Sequence, residues 1–202
     1  MKRALIVVLV IVVIAIAGFY LRATARGFST RQPPTVIEAL LARGARHWAV
    51  PSDARAQANP EPNRDKVLAE ARAHWADHCA TCHANDGSGD TAMGRNLYPR
   101  APDMRAAATQ NLSDGELFFI IQNGIRLTGM PAWGTGTGHD AEDSWKLVRF
   151  IRHLPSVTPQ ELQEMSKMNP KSPADLEEEK AEEDFLNGGN PQNAPEHQHH
   201  HH

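Results

Sequence analysis

The sequence predicts an all-α protein: a small helical domain preceded by a single N-terminal transmembrane helix. Three observations carry this expectation. No segment alternates apolar and polar residues over the length of a strand, whereas several repeat apolar residues at helical spacing. Helix starts are written in paired cap residues, Ser113 with Glu116, Thr158 with Glu161 and Ser172 with Asp175. The stretch Ala4–Leu21 runs for 18 residues without a charge.

That stretch opens the chain, in "MKRALIVVLVIVVIAIAGFYLRATARG". As a helix it reaches about 27 Å at about 1.5 Å per residue, close to the roughly 30 Å of a hydrocarbon core. A cleaved signal peptide competes with a retained anchor, because Lys2 and Arg3 form an n-region and Ala23-Thr24-Ala25 ends in an A-x-A site. The apolar run exceeds the usual h-region of about 7–15 residues, which favours an anchor over residues 1–25. Both readings export the rest of the chain. Basic residues flank the run on both sides, so loop charge does not orient it.

Residues 26–64 read as a linker. Val36, Leu40 and Leu41 allow one short amphipathic helix within 35–50, and the three prolines of 51–63 imply an extended path. A domain comes next, over 65–155. Val67, Ala71 and Trp75 recur every four residues in its first helix, capped by Asn63 or Asp65. The stretch 83–104 is rich in Gly, Pro, Asn and Asp and reads as a long functional loop. Residues 112–124 form a helix between the Ser113–Glu116 box and a terminal Gly124. After a glycine loop at 134–140, residues 141–155 form an amphipathic helix stopped by Pro155. The extension 156–202 holds a short capped helix, an acidic helix and a low-complexity His-rich end.

Charge narrows the function classes. The net charge of −3 hides a basic first 31 residues, with five Lys/Arg and no acid, and an acidic end with eight acids against Lys180 from residue 175 on. The middle is nearly neutral, so nucleic acid is not an expected partner. Gly134, Gly136 and Gly138 do not follow a strand, which argues against a phosphate-binding loop.

The chemistry concentrates in "HCATCH", residues 78–83, which holds the only two cysteines. A disulfide between residues three apart closes too small a loop to constrain the unfolded chain much. A thioredoxin-like pair needs a βαβ context. A structural zinc site needs two further ligands, with His74 and His78 the available recruits. A covalent haem uses every residue of the motif: Cys79 and Cys82 add to the two vinyl groups, and His83 projects under the iron. One motif implies one haem c per chain. For the iron's other face, Met130 in "IRLTGMPAWG" is the strongest candidate, lying just past a capped helix with Pro131 restraining its loop. Met93 and Met104 read as packing in the haem loop, Met165 and Met168 lie past the last core helix, and His139 and His153 are the nitrogen rivals.

On these residues the segment 65–155 resembles a class I c-type cytochrome, particularly the monohaem, membrane-anchored subunits of bacterial respiratory complexes. The resemblance is carried by C-x-x-C-H at 79–83, "DGSG" at 86–89, Pro102-Asp103-Met104, "LSDGEL…NGI" at 112–125 and "GMPAW" at 129–133. It implies a cytochrome c fold of a few helices around one covalent haem, with Ala71 and Trp75 crossing Leu147 and Phe150. It also implies that the carbonyl of Pro102, or failing that Pro99, accepts the N–H of the His83 imidazole. Haem attachment of this type implies a periplasmic domain on the inner membrane.

The implied role is electron transfer, not enzymatic catalysis, either as a carrier between a quinol-oxidising complex and a terminal oxidase or reductase, or as the haem subunit of such a complex. Two alternatives stay open. A labile Met130 bond would free the iron for catalysis or sensing. The His-rich tail, 196–202, offers imidazoles for a divalent metal such as Cu(II), Ni(II) or Zn(II), and reads equally as an affinity tag.

Overall fold

The structure is a computed structural model that describes residues 2–26 and 29–186. Among the described residues every regular element is helical. The helix α1 (Lys2–Arg26) is exposed along its apolar length and is long and apolar enough to cross a membrane, with a mean hydropathy of 3.2 over its best window. The helix α2 (Val36–Ala49) starts at a full capping box in which Thr35 and Glu38 satisfy each other's backbone N–H.

The proline-rich stretch after α2 is extended, and it is also fastened down. Val50 is buried, and the single turn α3 (Ser52–Arg55) sits on the start of α8 (Asp114–Asn123). Gly115 makes that contact possible: a Cβ there would lie 1.9 Å from the Ala54 carbonyl oxygen. The Ser113 hydroxyl donates to the Arg55 carbonyl at 2.9 Å. Further along, Asn59 Nδ2 donates to the Trp145 carbonyl at 3.0 Å and Arg149 Nε donates to the Glu61 carbonyl at 2.7 Å. The strap therefore holds on to α8 and to α9 (Gly138–His153) through its own backbone.

The core lies where α4 (Asp65–His74) crosses α9. The small Ala71 lets the helices approach, and Trp75 packs its ring 5.6 Å from that of Phe150, with Leu147, Val148 and Ile151 closing the interface. The cap of α4 is Arg64, in extended conformation without a side-chain bond, between the two residues expected for that role. On the other side of α9, Phe118 of α8 stacks on Trp145 at 4.0 Å. The helix α9 begins three residues before the expected start, because Asp140 accepts from the Thr137 hydroxyl at 2.7 Å and from the Thr135 backbone, which winds part of the glycine loop into its first turn.

Four short elements frame the site: α5 (Ala80–His83), reached from α4 through a π-turn at Trp75–Cys79, then α6 (Ala92–Asn96) and α7 (Ala107–Gln110). A 3-10 turn at Leu154–Ser156 leads to α10 (Pro159–Ser166), which carries the expected Thr158–Glu161 capping box. Helix α10 returns to the core: Met165 is 0% exposed, and Arg72 of α4 pairs with Glu161 at 3.2 Å and Glu164 at 2.8 Å. The acidic α11 (Pro173–Leu186) buries no residue. The histidines of 197–202 lie outside the described residues.

Candidate functional site

The site grows out of the π-turn. A π-turn spends one more residue per turn than the α-helix it interrupts, so it re-aims Cys79 relative to α4 before α5 carries Cys82 and His83. Burial pushes the Cys79 thiol up to about 12, and burial also raises Cys82. Thiols raised in this way suit neither a catalytic thiolate nor a redox pair. Among the described residues no three of His, Cys, Asp and Glu are grouped to hold a metal ion, so the zinc alternative lacks its further ligands.

His83 is held by its neighbours. The Trp75 ring lies 5.8 Å from the imidazole, and Trp75 Nε1 donates to the Ala84 carbonyl at 3.0 Å. Ala84 sits at φ +61°, a strained value for an alanine, and it turns the chain sharply away just after the histidine. Burial depresses the His83 pKa, which keeps the ring neutral and able to bind a metal. Its Nδ1 is enclosed without a hydrogen-bond partner.

The bond from His83 to Pro102 is therefore not formed. The Ala101–Pro102 backbone closes on Gly89 instead, where a Cβ would lie 2.4 Å from the Ala101 oxygen and 3.1 Å from that of Pro102.

The long loop is knitted to the motif. Gly89 N donates to the His83 carbonyl at 2.8 Å and Met104 N to that of Gly87 at 2.7 Å. Both glycines have positive φ. The Thr91 hydroxyl donates to the Thr81 carbonyl at 2.8 Å, and Gly94 lets α6 lie against α5, since a Cβ there would sit 2.3 Å from the Cys82 oxygen. Between these pieces runs a groove lined by Thr81, Ala92, Met93, Asn96 and Leu97.

Met130 reaches the same region from the end of α8. Gly124 turns the chain at φ +66°, and Ile125 N donates to the Met130 carbonyl at 3.1 Å. Thr128 Oγ1 accepts from Met130 N at 3.1 Å, while Trp133 N donates to the Ile121 carbonyl at 3.0 Å. Gly129 packs on Leu97, a Cβ there falling 2.5 Å from the leucine methyl. The Met130 loop thus abuts the wall of the groove that starts at Thr81. The rivals are engaged elsewhere: His139 pairs with Asp143 at 3.1 Å in solvent, His153 with Glu161 at 2.9 Å, and Met165 fills the core.

Sequence reasoning missed the clamp between the two halves. His78, just before Cys79, meets the Trp133 ring edge-on at 5.5 Å and the His74 ring at 4.8 Å. The signal was the aromatic that closes "GMPAW", which periodicity alone does not connect to the first cysteine.

The residues present fit a haem: two thiols three apart on a short helical segment, a half-buried imidazole after the second with its Nδ1 enclosed, and a groove leading to a methionine loop. A family model described as "Cytochrome C oxidase, cbb3-type, subunit III" matches residues 66–151, the stretch from α4 through most of α9. No curated protein matches the chain.

Proposed function

We propose that this chain, whose residues 66–151 form a class I c-type cytochrome domain, is a membrane-tethered carrier of single electrons in a respiratory chain. Cys79 and Cys82 would hold one haem as thioethers, and His83 and Met130 would bind its iron. Bound in this way, haem supplies a one-electron iron couple, whose potential a methionine ligand raises. With His83 and Met130 both bound, the iron would have no position for substrate, so the role would be transfer and not turnover.

The chain's own residues do the positioning. Trp75 fixes the turn after His83, the Gly89 and Gly94 contacts draw the loop onto the motif helix, and Thr128 restrains Met130. The orphaned Nδ1 of His83 is the group that a backbone carbonyl orients in such sites, the part expected of Pro102. The observation that carries the reading is the placement of both thiols and a half-buried imidazole, its pKa lowered by desolvation, on one short helical segment.

The apolar α1 supports a single-pass anchor in the inner membrane with the haem domain on the periplasmic side. In that place the partners are a quinol-oxidising complex and a terminal oxidase or reductase, with this chain a free carrier between them or a subunit of one. The mature protein should gain the mass of one haem and keep it through acid-acetone extraction. Met130→Ala should abolish the near-infrared sulfur–iron absorption. A pigment that extracts, or a band that survives the substitution, sinks the assignment.

A further inference from the structure

Helix α2 turns one side to the domain and leaves the other bare. At helical spacing Ile37, Leu40, Leu41 and Trp48 share a stripe, and all four are exposed, Trp48 at 87%. On the opposite side Ala39 and Arg46 are half-buried. The helix is held in that pose at both ends: the Tyr98 hydroxyl donates to Glu38 at 3.0 Å, and His47 pairs with Glu116 at 3.4 Å. The stripe therefore faces away from the haem domain by construction, and nothing within the described residues covers it.

Two observations say what does. The stripe lies close to α1 along the chain: only nine residues, 27–35, separate the two helices. Arg22, near the end of α1, is also close enough to add to the pull of Thr35 that holds the Glu38 carboxyl below its usual range. The surroundings are basic as well. Residues 22–46 contain five arginines and one acid, Glu38, which is already engaged by Thr35 and Tyr98. An apolar stripe with tryptophan, flanked by arginines and adjoining a membrane span, matches an interface of anionic headgroups. A protein partner would not require that excess of positive charge.

We infer that α2 is an interfacial helix, with Ile37, Leu40, Leu41 and Trp48 inserted among anionic lipids, so that the haem domain is seated on the bilayer in one orientation. The inference rests on α1 being a membrane anchor. Because α2 is fixed to Tyr98 and Glu116, seating it also fixes which side of the domain faces the aqueous phase.

The test uses the full-length holoprotein in vesicles of phosphatidylcholine and phosphatidylglycerol brominated on the acyl chains. The Trp48 emission is taken as the difference between wild type and W48F. The expected result is that bromolipid removes most of this emission while aqueous acrylamide leaves it. In the L40E/L41E variant, which keeps its Soret band, the pattern should reverse. Emission open to acrylamide overturns the inference. Emission shielded from acrylamide but unquenched by bromolipid also overturns it, because a protein, either a second copy or a partner, then covers the stripe. Alkaline carbonate separates the two readings. Release of the chain defeats the anchor and this inference together, whereas retention with unquenched Trp48 defeats this inference alone.

Discussion

The Trp133 indole stands edge-on to His78, 5.5 Å away, and so joins the loop of Met130 to the residue before Cys79. The two sides of the site, well separated in sequence, are pinned together by one aromatic pair. Such pairs contribute about 0.5–1.5 kcal/mol beyond their buried area. That is a small part of global stability but enough to shift the loop that carries the proposed methionine ligand.

Trp133→Ala should therefore leave the haem content unchanged and loosen the methionine ligand. The near-infrared sulfur–iron band should weaken, and the midpoint potential should fall in a redox titration. Trp133→Phe should recover most of both. Equal loss in both variants would mean that the ring edge is not what matters.

Gly115→Ala should destabilise the domain although alanine is the better helix former. The propensity gain is about 1 kcal/mol, whereas an added methyl 1.9 Å from the Ala54 oxygen forces the strap outward at a cost of about 1–3 kcal/mol. Thermal melts of the haem protein should show a lower Tm, together with faster proteolysis of the strap between residues 50 and 64.

Met165→Ala tests whether α10 belongs to the folded unit. A fully buried methionine cut back to alanine costs about 2–5 kcal/mol, a large share of the stability of a small domain. Denaturant titration of the variant should give a lower midpoint with the visible spectrum unchanged, and ending the chain at Pro155 should do at least as much damage.

Acid should loosen the start of α9 at a defined place. The Thr137 hydroxyl and the Thr135 backbone N–H hold the Asp140 pKa down to about 2 from an ordinary 3.8. A depressed carboxylate stabilises the fold above its unfolded pKa, and the contribution fades as pH falls from about 4 toward about 2. Asp140→Asn should remove that part of the acid-unfolding slope, measured by helical circular dichroism, and leave the neutral-pH spectrum in place.

Local features were legible in the sequence. The cap pairs at Ser113 and Thr158, the C-x-x-C-H segment and the turn at Gly124 each write their geometry within a few residues. The crossing of Ala71 and Trp75 on Leu147 and Phe150 came from the resemblance, and the core contains it.

The strap could not be read in this way. Its fastenings are backbone carbonyls of Arg55, Asn59 and Glu61 taken up by side chains 58 to 90 positions away, and a carbonyl leaves no mark in a sequence. The part played by Met165 was hidden for a similar reason: Pro155 stops one helix, and nothing local says that the next returns to the core. The Pro102 expectation came from the resemblance and concerns His83 Nδ1, which has no partner in the structure; residue spacing does not report such a contact.

The strap has a consequence for how far the haem domain can travel. Had residues 26–64 hung loose, they would have let it sweep a wide volume in search of partners. With 50–64 bound to α8 and α9 and α2 docked at Tyr98 and Glu116, at most nine residues, 27–35, are left between α1 and the docked part, and the Arg31 carbonyl among them already accepts from Arg100 at 3.4 Å. Fully extended, nine residues reach about 30 Å at about 3.3–3.6 Å each. With α1 as the membrane anchor proposed above, a redox partner would have to meet the domain inside that shallow layer.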